Sequence, residues 1–132
     1  MATLGARKEA VLEAKDAEGN VIEEYRALFT NRALADAEVK LGNSITRALN
    51  GFISGRSGIR EIAIILQAGM DAYRRSVKAS GNAVSFDDAC DVLDAVGVMP
   101  AAAVIGKAIN AVVSYGNPEP SEGEEDEEEK NG

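Results

Sequence analysis

Near the start of the chain, apolar and polar positions alternate. Ala10, Leu12 and Ala14 interleave with Val11, Glu13 and Lys15, and Tyr25, Ala27 and Phe29 interleave with Arg26 and Leu28. Alternation places each set on one face of a strand. Between the two runs, Gly19 and Asn20 tolerate positive φ, so a reversal belongs within residues 15–20. A helix over 6–17, rich in Ala, Glu and Lys, is the rival reading. The hairpin is preferred because the Tyr25 to Phe29 run needs a strand partner.

The period then changes from two to that of a helix. After a capping residue at Thr30, Leu34, Ala37, Leu41, Ile45 and Leu49 recur at helical spacing. Gly42-Asn43-Ser44 interrupts the run, as a kink or as a stop followed by a newly capped helix. The stretch 51–58, with three glycines and two serines, reads as a loop. From Ile59, apolar residues fall at 59, 62, 63, 66, 70, 73 and 77. Ile64 and Ile65 widen this stripe, predicting a central helix buried on more than one side. Arg74, Arg75 and Lys78 complement the dipole at its end, and Gly81-Asn82 stops it. Ser85 with Asp88 predicts a capping box over a short helix whose apolar face is Phe86, Ala89, Leu93 and Val96. Gly97 ends that helix, and Pro100 suits the first turn of a last one lined by Ala101, Ile105, Ala108, Val112 and Tyr115. Gly116 and Pro118 close it, and no internal repeat is visible.

The predicted class is α+β and mainly α: an N-terminal β-hairpin packed on a bundle of four to five helices. Residues 1–117 form one globular domain and 118–132 a disordered acidic tail. The tail is expected to be disordered because it has no core-forming residue to offset its ordering entropy. Charge sharpens this division. The 132-residue chain carries a net −8, of which the tail holds −7 through eight acids and Lys130, leaving the body at −1. The body is rich in Ala, Val, Leu and Ile and poor in aromatics, with no Trp.

Composition removes several chemistries. With no His, imidazole acid–base catalysis and His metal ligation are absent. A single Cys excludes an internal disulfide and a Cys-rich zinc site. No apolar run approaches a membrane span and no secretory h-region opens the chain, so the reducing cytosol is the expected setting. Asp87, Asp91 and Asp94 share a helix face and could hold a hard cation, but no calcium loop surrounds them and a solvated face is favoured. Gly106-Lys107 ends like a phosphate-binding loop, yet Ala101 stands where that motif needs Gly. Arg56, Arg60, Arg74, Arg75 and Lys78 concentrate positive charge without interleaved aromatics. Helix-end charges, or a contact with an acidic partner such as the tail itself, explain them better than nucleic acid. Cys90 sits among acids that disfavour its thiolate, which makes it a packing residue. The acidic run is read as a solvated segment. These residues support no catalysis or cofactor, and point to a small soluble interaction or assembly domain.

An ordered series of segments carries a resemblance. Gly5-Ala6-Arg7-Lys8-Glu9 leads into the hairpin. The run FTNRALADAEVKLGNSI over 29–45 follows, then Ile59-Arg60-Glu61-Ile62 with an aliphatic helix to about Gly69, then the acidic helix from Ser85 to Gly97. This order resembles the small tail proteins of gene transfer agents and siphophages, described as tail tube or tail assembly chaperone proteins, across about Gly5 to Gly116. The resemblance implies a non-enzymatic protein of the bacterial cytoplasm. Such a protein coats the tape measure protein, keeps it in solution, delivers it to tail tube subunits and leaves before the particle is finished. A structural tail component retained in the particle is the alternative. The implied partners are the tape measure and tail tube proteins, with homo-oligomers possible and neither membrane nor direct nucleic-acid contact expected. Such proteins often occur in two lengths made by ribosomal frameshifting, and Glu129-Lys130-Asn131 can be encoded by a slippery adenine run. The partner surface is assigned to the unpaired part of the 59–77 stripe, namely Ile59, Ile62, Leu66, Met70 and Tyr73, together with the terminal helix.

Overall fold

The computed structural model describes residues 5–56 and 58–117. The expected acidic tail at 118–132 therefore lies outside the described residues. The chain opens with the antiparallel strands β1 (Arg7–Lys15) and β2 (Val21–Thr30) and continues with five helices. These are α1 (Asn31–Leu41), α2 (Ile45–Ser54), α3 (Ile59–Ser76), α4 (Phe86–Val96) and α5 (Val98–Val113).

The hairpin forms where alternation placed it. Ala10 pairs with Ala27 and Leu12 with Tyr25, so the apolar sets share one face. Ala10, Leu12, Ala14, Ala27 and Phe29 are buried there. The turn is held by Asp16, whose carboxylate accepts the Glu18 and Asn20 N–H groups, both at 2.9 Å. Gly19 takes φ 87°, the left-handed conformation that the reversal requires. One strand residue departs from strict alternation: Leu28 is buried on the opposite face, in a small second cluster with Ala33 and Ala72.

Helix α3 is the centre of the molecule. Ile62 through Leu66 are consecutively buried, along with Gly69 and Ala72. A helix is buried on several sides only when several elements surround it, and β2, α1, α4 and α5 all touch α3. At Gly69 the sheet packs directly against the backbone of α3. A Cβ at this position would lie 2.6 Å from Phe29 Cζ and 3.1 Å from Ala27 Cβ.

The break at Gly42 is a stop and a fresh start. Gly42 adopts φ 66°, and Ser44 then caps α2 by accepting the Arg47 N–H. The Glu38 carboxylate of α1 accepts the Ile45 N–H at 2.8 Å, fixing the corner between α1 and α2. The capping box at Ser85 and Asp88 forms as read. At Gly97 the chain turns by 112° from α4 into α5. Among the described residues no single helix is long and apolar enough to cross a membrane.

Three expectations are corrected. The loop over 51–58 is shorter than read, since α2 continues through Gly51 to Ser54. Ala48 and Leu49 are buried and Phe52 packs on the core, which outweighs the propensity cost of Gly51, about 1 kcal/mol. Helix α3 ends at Ser76, before Gly81, because Lys78 turns left-handed at φ 55° and exposes Val77. Tyr115 lies beyond α5 and is exposed, so Ile109 instead completes the buried face of that helix.

Candidate protein-docking groove

The residues assigned to a partner surface occupy different environments. Ile62 and Leu66 are in the core, where no partner can reach them without unfolding the protein. Met70 is half-buried against the same core, and Tyr73 packs on the second cluster beneath β2. Only Ile59, at the first turn of α3, is open, with 61% of its surface exposed. The stripe on α3 is therefore a packing surface. Its width reflects the number of elements around it.

The terminal helix does offer an open face, though along a line other than its buried one. Ala101, Ile105, Ala108, Ile109 and Val112 of α5 point inward. About a third of a turn away, Ala102, Ala103, Gly106 and Asn110 face a groove shared with Leu49 and Phe52 of α2. The groove has a volume of about 420 Å³. Small side chains on α5 make it. A Cβ added to Gly106 would sit 3.5 Å from Phe52 Cδ2, at ordinary van der Waals contact, so the floor takes a methyl group without a clash. Met99 stands at its N-terminal end with 75% of its surface exposed. Among the described residues Lys107 is the only charged side chain lining the groove. It makes no ion pair among the described residues.

The remaining candidate groups have structural placements. Asp71 clamps the α3–α4 connection to α3. Its Oδ1 accepts the Val84 N–H at 3.0 Å and pairs with Arg74 Nε at 2.9 Å, while Oδ2 pairs with Arg75. Burial works against the Asp71 carboxylate, but the Val84 N–H and the two arginines outweigh it and hold its pKa below the ordinary value. Gln67 Nε2 donates to the Val84 carbonyl from the same side. Arg60 lies over the Phe86 ring at 5.6 Å from its centroid, a cation–π contact between α3 and α4. Of the basic residues read from sequence, Arg74 and Arg75 thus share Asp71 while Arg60 meets Phe86. Asp87, Asp91 and Asp94 lie on the exposed side of α4, and no group of three acidic or thiol side chains suited to a metal ion occurs among the described residues. Cys90 is half-buried and packs on the core. Gly106-Lys107 lies inside α5, with no loop around it.

Sequence reasoning missed the α2 wall of this groove because Phe52 was placed in a loop. It missed Met99, Ala102, Ala103 and Gly106 because they fall off the apolar stripe of α5. The available signal was the run of small residues along one side of that helix. No family model, curated protein or solved structure matches this chain.

Proposed function

We propose that this chain is a tail assembly chaperone of a phage or gene transfer agent. It binds the tape measure protein and assists assembly of the tail tube around it. The observation that carries the reading is the open groove between α2 and α5, lined mainly by apolar side chains with Lys107 and Asn110. A long helical client with exposed apolar faces aggregates unless those faces are covered. A groove floored by Ala and Gly and walled by Leu and Phe accepts one such face at close range, in the manner of helix-in-groove recognition. The protruding Met99 adds an unbranched, adaptable side chain suited to clients of varied sequence. The eight acids of the 118–132 segment add charge to the complex, which opposes its aggregation.

The test is co-expression with the tape measure protein encoded at the same locus, followed by a solubility assay and pull-down. The expected result is a tape measure that stays in solution and co-purifies, with this chain missing from purified particles by mass spectrometry. Recovery of the chain in finished particles would instead make it a structural tail component. A client that stays insoluble and unbound, with this chain and with any frameshift-extended form, ends the chaperone reading.

A further inference from the structure

We propose that the far end of the hairpin of one copy docks in the α2/α5 groove of a second copy, head to tail. This rests on the geometry and charge of the two surfaces and does not depend on the identity of a client.

The hairpin reaches past the body. From Lys15 to Glu24 every residue but Asp16 is exposed. A two-stranded hairpin without a packed face is marginal in water. This arm nevertheless has a firmly built turn at Asp16 and carries two exposed apolar residues just after it, Val21 and Ile22. Lys15 pairs with Val21 and Ala14 with Glu23, so Ile22 is the extra residue of a bulge and has no cross-strand partner. It is 66% exposed. Bulges re-aim side chains, and this one leaves an isoleucine exposed to solvent.

Charge selects the occupant. From Lys15 to Glu24 the arm carries Asp16, Glu18, Glu23 and Glu24 against Lys15 alone, a net −3. The groove is mainly apolar, is lined by no acid among the described residues, and is bordered by Lys107. Arm against arm would oppose acid with acid, and groove against groove would oppose lysine with lysine and leave the cleft unfilled. Arm in groove fills the cleft with Val21 and Ile22 and brings acids to Lys107. The two surfaces differ, so the contact is heterologous and each copy can pass it on, giving rings or open chains. A client helix and an arm would compete for the same groove, should the groove also serve a client.

Sedimentation velocity of the full chain, from micromolar to millimolar concentration at low salt, tests this. The wild type is expected to self-associate, and the association should weaken as salt rises. Ile22→Asp spoils the arm, and Ala103→Glu spoils the groove with an acid on an exposed helical position. Each alone is expected to remain monomeric with an unchanged circular dichroism spectrum. Their mixture is expected to form a 1:1 dimer that goes no further, because one partner keeps a groove and the other an arm. A wild type that stays monomeric throughout overturns the proposal. So does association that survives Ile22→Asp, which would place the contact elsewhere, or a mixture that stays monomeric.

Discussion

Two glycines in helices separate the consequences of adding the same methyl group. Gly69 faces the fully buried Phe29 ring, and an added Cβ would overlap it at 2.6 Å from Cζ and 2.7 Å from Cε1. The ring has no solvent to swing into, so β2 and α3 must separate. Gly69→Ala is expected to destabilise by roughly 1–3 kcal/mol despite the better helix propensity of Ala. Gly106→Ala meets only ordinary contacts and is expected to be neutral or stabilising by up to about 1 kcal/mol. Urea titrations of the two variants check the contrast. Asp71 gives the residue-scale pH dependence. Its pKa is lowered in the folded state, so the ionised carboxylate favours folding. That contribution is complete above the ordinary value of 3.8 and is lost as pH falls through the lowered value in the folded protein. Asp71→Ala is expected to cost on the order of 1–3 kcal/mol at neutral pH by orphaning the Val84 N–H. Hydrogen exchange should then show faster exchange at that amide and in the preceding loop.

At the scale of elements, what was legible in the sequence was local. Thr30, Ser85 and Asp88 cap helices because their side chains reach N–H groups three residues away, a relation contained in a four-residue window. The hairpin register follows from alternation on both strands and a turn whose Asp, Gly and Asn suit it. What escaped was decided by distant neighbours. Whether Gly51 lies in a loop or a helix depends on Phe52 finding Gly106 of α5, more than fifty residues on. Whether the α3 stripe is a surface or a core depends on how many elements surround it. The same holds for Glu38, which looks like an ordinary acid within α1 but serves α2 by accepting the Ile45 N–H. Glu38→Ala is expected to cost about 1 kcal/mol, through the lost acceptor and the lost negative charge at the N-terminus of α2. Thermal unfolding checks this, and Glu38→Gln, which keeps an acceptor, should recover part of the loss.

At the scale of the molecule, core and groove must respond to mutation in opposite ways if the groove is the working surface. Leu66 is wholly buried, and Leu66→Ala is expected to destabilise by about 2–5 kcal/mol through lost burial and a cavity. The folded fraction that remains keeps an intact groove, and should capture the tape measure protein as well per folded molecule as the wild type does. Met99 makes the reverse case. It is mostly exposed and sits in the first turn of α5, where a negative charge is favourable to the helix dipole. Met99→Glu should therefore leave stability within about 0.5 kcal/mol while placing a charge at the mouth of an apolar groove. Measured together by urea midpoint and pull-down, Leu66→Ala is expected to shift the first and Met99→Glu the second. If Met99→Glu captures the client at wild-type level, the groove is not the binding surface. If Leu66→Ala loses capture beyond its loss of folded protein, the α3 stripe regains a role in binding that its burial in this fold argues against.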